Sequence, residues 1–243
     1  TLSLPRQRRD VETPTGAHLR RSFAELVEGL RFIRDSALVR AVILGLGTGL
    51  VGGGMLVPLG PIMSKQVLGG GSAGFGLLLT AMGTGVAAGI IGLSVLQRKV
   101  PHERMFVLSV LGAGVFQVVA ATMSTLAPAL ILVAGLGLCA GSVYVLGFSI
   151  LQGNVGDELR GRIFATLYTL VRFCLVLSFT VAPILSKLLD KLSTALFEGS
   201  VAVGAVSISL PGVRLTLWLG GVIIVVAGLL ARRTLGAKTR STP

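Results

Sequence analysis

The chain has 243 residues, of which 52% are apolar and only 13% charged, with a mean hydropathy of +0.86 and a formal charge of +12. Soluble domains carry roughly 25% charged residues, so this balance excludes an ordinary water-soluble globule and describes an integral membrane protein. The basic residues stand at the ends of apolar runs, where topology signals belong, which argues against nucleic acid as a partner.

Residues 1–38 form a cytoplasmic linker. Its opening, with Arg6, Arg8 and Arg9, lacks the apolar stretch and small-residue cleavage site of a signal peptide, and is expected to continue a longer protein. Ser22 and Glu25 have the spacing of a capping box, and Phe23, Leu26, Val27, Leu30 and Ile33 recur at helical intervals between flanking arginines. This predicts a short amphipathic helix on the membrane surface, which either leads into the bilayer or senses lipid.

Between Asp35 and Glu103 there is no acidic residue. Roughly 20 mostly apolar residues suffice to cross the hydrocarbon, and a carboxylate at its centre is costly. Six spans follow in the six-helix domain 39–231: Val39–Met63, Ser72–Leu96, Met105–Met123, Pro128–Gln152, Ile163–Leu185 and Val213–Leu230. Residues 232–243 are a cytoplasmic tail or linker. Of the Lys and Arg residues outside the spans or at their ends, only Lys65, Lys187, Lys191 and Arg214 fall on the side opposite the termini, so both termini are expected in the cytoplasm.

In the first span, Gly47-Thr-Gly-Leu-Val-Gly52 has the spacing of a dinucleotide-binding loop, but no strand precedes it and no acidic residue follows at the needed distance. Gly47, Gly49 and Gly52 are instead read as helix-packing positions, and Pro58 and Pro61 as the cause of a kink. Gly85 and Gly89 form a second packing motif in the second span.

In the fourth span Tyr144, Phe148 and Gln152 share one helical face that can line a cavity. The loop that follows, Gly156-Asp-Glu-Leu-Arg-Gly-Arg162, fails as a nucleotide loop because Arg replaces Lys and Ile163 replaces Ser or Thr. Asp157, Glu158, Arg160 and Arg162 form either a charged cytoplasmic latch or a helix cap with topology signals.

Arg172 lies about ten residues into the fifth span, near mid-membrane, with Thr169 and Tyr168 on the same face. It meets a carboxylate from another part of the protein, binds an anionic substrate group, or satisfies its donors on carbonyls and water. Between the fifth and sixth spans, 200–203 and 206–210 flank Gly204-Ala205 and predict a small outer β-hairpin. Cys139 and Cys174 are far apart in apolar runs and His18 and His102 are isolated, so neither a metal site nor a disulfide is indicated, and no cofactor is expected. No nucleophile has a neighbouring base by sequence, so the chain is not read as an enzyme.

The runs Glu25-Leu-Val-Glu-Gly-Leu-Arg-Phe-Ile-Arg34 and Asp157-Glu-Leu-Arg-Gly-Arg-Ile-Phe-Ala165 resemble the C-terminal half of a major facilitator superfamily transporter, nearest the bacterial drug and siderophore exporters. The resemblance extends from about Phe23 to Arg233. It implies an all-α membrane fold whose six helices form a 3+3 inverted repeat, half of a twelve-helix transporter in the bacterial inner (plasma) membrane. Spans one and four would line the path, and spans two and five would face six further helices of an N-terminal half. The function implied is efflux of a small amphipathic or anionic solute by alternating access. Gly92-Leu-Ser-Val-Leu-Gln-Arg98 departs from the family pattern by lacking its aspartate. The stretch Ser207–Trp218 also resembles actinobacterial proteins in which a transporter-like domain precedes a thymidylate kinase, so the alternative reading is a transport-inactive anchor for a fused cytosolic enzyme.

Overall fold

The computed structural model describes residues 37–96, 101–154, 157–197, 200–203, 206–209 and 211–238. The amphipathic helix expected around Phe23 lies outside them. Among the described residues six helices are long and apolar enough to cross a membrane: Leu38–Gln66, Gly71–Leu93, His102–Thr122, Leu126–Gly153, Ile163–Thr194 and Gly212–Arg233. They follow the six predicted spans, with one large extension. The helix carrying the fifth span runs from Asp157 to Phe197, well past Leu185, and Pro183 does not end it. Ser186 and Ser193 stay buried on one face beyond that point, so helical packing continues where hydropathy falls.

The first span is two helices, Ala37–Gly54 and Leu56–Gln66, joined at Met55. Pro58 has no N–H, so the Gly54 carbonyl loses its helical donor, and the pyrrolidine ring crowds the same group. Met55 itself keeps helical dihedrals of −63° and −24°. The interruption is therefore a missing hydrogen bond with the backbone still in the helical region. Gly69 and Gly71, at φ +67° and +59°, then turn the chain into the second span, since the left-handed region favours residues without a Cβ.

Two apolar clusters fill the bundle. One, around Val39, Val42, Phe106, Leu146, Leu151 and Ala231, joins the beginning of the first span to the end of the sixth. The other, around Leu59, Leu68, Ala120, Val133 and Leu217, occupies the opposite end. Spans two and four approach most intimately. A Cβ on Gly85 or Gly89 would collide with the carbonyls of Ala134 or Leu138, and a Cβ on Gly137 or Gly141 with those of Met82 or Val86. Two small-residue motifs thus interlock backbone to backbone, which in lipid is a principal source of helix association. Gly52 packs in the same way against Gly220 of the sixth span.

Gly47 and Gly49 do not share that role. Gly47 makes only ordinary contacts with Leu170 and Cys174, and Gly49 has nothing within 4 Å of where a Cβ would stand. The spacing of these glycines is right for a packing face, but Gly47 meets only side chains of the fifth span and Gly49 faces open space, so neither allows a backbone to approach.

Between the fifth and sixth spans, Ser200–Val203 and Val206–Ser209 pair antiparallel, Val203 opposite Val206. At the start of the sixth span the Gly212 N–H donates to Asp190 Oδ1 at 2.9 Å. Arg214, almost wholly buried, donates from one terminal nitrogen to Met123 O at 2.9 Å and Ser124 Oγ at 3.1 Å. The sixth span is thereby tied to the fifth span and to the turn after the third.

Candidate functional site

Glycines in the first span leave a wall of bare backbone. Gly49, Gly53 and Gly54 form one side of a cavity of about 220 Å³, closed on the other side by Val143, Tyr144 and Phe148 of the fourth span and by Val171 and Leu175 of the fifth. Tyr144 is the one residue of its lining with a polar side-chain group. The space exists because glycine withdraws side-chain volume from the middle of the first span while the facing helices carry aromatic and branched residues.

An aromatic cluster borders it. The rings of Tyr144 and Phe148 lie 4.6 Å apart, Phe148 and Phe164 5.4 Å, and Phe148 and Tyr168 6.1 Å, all tilted, within the range of favourable aromatic contact. Phe148 is thus the centre on which both tyrosines of the chain converge. Each tyrosine is half exposed.

Arg172 is one helical turn beyond Tyr168 and is exposed, and among the described residues no carboxylate pairs with it. Thr169 is exposed too, but its hydroxyl donates to Ala165 O at 2.9 Å, so that part of the predicted polar stripe is satisfied within its own helix. Gln152 lies exposed at the end of the fourth span, away from the cavity lining. Asp157, Glu158, Arg160 and Arg162 fall in the first turns of the long fifth-span helix. Their side chains, and so the latch, lie outside the described residues.

Two buried polar side chains next to the cavity were not singled out by the sequence. Gln117, in the third span, donates to Gly52 O at 2.8 Å and to Leu217 O at 3.3 Å. Ser178, in the fifth, donates to Val51 O at 3.0 Å. Both are at most 2% exposed. A lone amide in an apolar run is the signal that marks Gln117; Ser178 carries none, since serine occurs freely in membrane helices.

No family model matches the chain. It is 36% identical over 124 residues to monocarboxylate transporter 11 of the mouse, Mus musculus, across 47% of this chain. The chain spans 28% of that relative's length. Six membrane-length helices and this likeness describe a multi-pass, transporter-like membrane protein.

Proposed function

We propose that the chain is one half of a twelve-helix transporter of the major facilitator type, carrying a small anionic or amphipathic solute outward across a bacterial inner membrane with both termini in the cytoplasm. Some of the contacts between spans fit a 3+3 repeat, while that of spans five and six has no counterpart of similar extent between two and three. Shifting each span by three exchanges the contact of spans two and four with that of five and one, and the contact of three and four with that of six and one; the pair of three and six maps onto itself. Coverage follows the same symmetry. In spans two and five 22% of the core window is buried, against 44–50% in the other four. These two related helices present the faces that a second six-helix bundle would cover, and Arg172, Tyr168 and Thr169 lie on one of them. The β ribbon would stand on the outer side.

The observation that carries the reading is the cavity bordered by Tyr144, Phe148 and Tyr168, with Arg172 one turn away. At about 220 Å³ it is smaller than the ~300–1,000 Å³ of complete small-molecule sites, as a site completed by a second half would be. The apolar wall suits a hydrocarbon portion and the guanidinium an anionic group. A short carboxylate has that chemistry, and the mouse relative's name gives it independent support.

Uptake and efflux assays of radiolabelled small carboxylates in proteoliposomes of the full-length protein test this. Transport should be saturable and should fall at least about tenfold in Arg172→Gln, the loss expected when one charge-assisted contact of ~1.5–3 kcal/mol disappears. Unchanged transport in Arg172→Gln would remove Arg172 from the site. Absence of any solute flux across a broad panel would favour the anchor reading.

A further inference from the structure

The glycines that border the cavity are not alike. A Cβ on Gly45 would stand 2.9 Å from the Phe106 ring, and one on Gly54 3.0 Å from Ser178 Oγ, so packing accounts for glycine at both positions. One on Gly53 would meet only Gln117 Oε1, at 3.9 Å, an ordinary contact, and one on Gly49 nothing within 4 Å. Neither Gly49 nor Gly53 has a positive φ, which among the described residues belongs to Gly69 and Gly71. Gly49 lies well inside Ala37–Gly54, where glycine costs about 1 kcal/mol relative to alanine. That cost brings no closer approach of helices. Its effect is to flatten the cavity wall, along which Gly49 and Gly53 stand one above the other, about 6 Å apart. Gly76 and Gly83 are equally free of neighbours, but they stand on the uncovered face of the second span, outside the cavity lining.

The rest of the lining is built of bulk. Tyr144 and Phe148, with ring centroids 4.6 Å apart, and the branched Val143, Val171 and Leu175 supply it. A hydrocarbon group held in the cavity meets side chains there and bare backbone at the first span, so its breadth is set by what occupies positions 49 and 53. We infer that Gly49 and Gly53 are specificity-determining residues, which fit the site to small carboxylates whose hydrocarbon part is branched or ring-bearing. A straight chain of similar size fills less of that width and buries less apolar area, and so gains less from the wall. The inference rests on the transport reading for the class of solute. It adds which members of that class the apolar wall admits.

Butyrate, pivalate and benzoate serve as probes, with apparent affinities read by flux in proteoliposomes of the full-length protein and by thermal shift in detergent. The parent should take pivalate and benzoate at least as well as butyrate. In Gly49→Ala the preference for pivalate over butyrate should fall about tenfold, the discrimination that one carbon provides in an apolar pocket, and in Gly49→Val it should fall further. Gly53→Ala should shift the ratio in the same direction, and it serves if Gly49→Val does not fold. Without solute, Gly49→Ala should unfold at or above the parent's temperature, since the added methyl meets nothing and alanine is the better helix former. Flux with an unchanged ratio in both alanine variants would overturn the inference and leave the transport reading standing. A less stable Gly49→Ala with an unchanged ratio would overturn it too, by showing that another part of the full-length chain packs against Gly49. Binding that keeps the expected ratios in the absence of any flux would sink the transport reading alone, and absence of both binding and flux would sink the two together.

Discussion

The Gln117 side chain reaches the Gly52 carbonyl across 2.8 Å, and the same amide nitrogen lies 3.3 Å from Leu217 O, so one polar group in the third span joins the first and sixth. Its own oxygen has no hydrogen-bond partner among the described residues. Gln117→Leu removes two bonds but also relieves that buried acceptor. The net cost should be about 1 kcal/mol, since side-chain hydrogen bonds between membrane helices average ~0.6 and reach ~1.7 kcal/mol. Gln117→Ala, which also leaves a void, should cost about 2 kcal/mol or more. Thermal unfolding in a fixed detergent measures both, and equal losses would show that volume is immaterial at this crossing.

Gly85 and Gly83 make a matched pair two residues apart on the second span. A Cβ at Gly85 would strike the Ala134 backbone, whereas one at Gly83 meets nothing within 4 Å. Gly85→Ala should lower stability by roughly 1–3 kcal/mol, the range for forced separation of packed elements. Gly83→Ala should be neutral or slightly stabilising in the isolated six-helix domain, because alanine is the better helix former. Reversal of that order in unfolding measurements would contradict the packing of spans two and four.

Arg214 is 1% exposed and bonded to Met123 O and Ser124 Oγ. Arg214→Ala leaves a cavity and strips the turn after the third span of a charged donor, and should cost on the order of 3 kcal/mol. Arg214→Lys keeps the charge but loses the guanidinium fork, and should recover less than half of that loss. Folded yield and unfolding temperature read the series; full recovery by Lys would mean that charge alone matters.

Phe148 touches both tyrosines and Phe164, while its own chain position gives it no polar function. Phe148→Leu should weaken solute affinity several-fold, with little change in maximal rate, because it disperses the ring cluster that borders the cavity and leaves Arg172 in place. A fall in rate at unchanged affinity would instead assign Phe148 to the transport motion.

Hydropathy made the six spans legible because lipid imposes one strong demand, an apolar run of fixed length, and Gly85 and Gly89 announced a packing face by spacing alone. What spacing does not encode is the partner. Gly137 and Gly141 repeat the motif in the fourth span, and only the fold joins the two. Gly49 has as good a motif as Gly52 yet opens onto the cavity, since a helical repeat identifies a face without saying what stands opposite. The extension of the fifth span past Leu185 was hidden because Lys187, Asp190 and Lys191 lower hydropathy without ending the helix. Gln117 and Ser178 escaped notice for a related reason: their importance comes from two carbonyls more than sixty positions away in the chain.

The attachment of Arg214 to a turn about ninety residues upstream also constrains how the protein is made. Ribosomal synthesis delivers Met123 and Ser124 long before the guanidinium that will claim them, and Gln117 likewise emerges ahead of its acceptor at Leu217. Until the sixth span is inserted, those groups must be occupied by water, lipid headgroups or an insertion factor. Completion of this six-helix bundle therefore waits on that span, and quality control acting on nascent chains would find its most recognisable target in a bundle still lacking it.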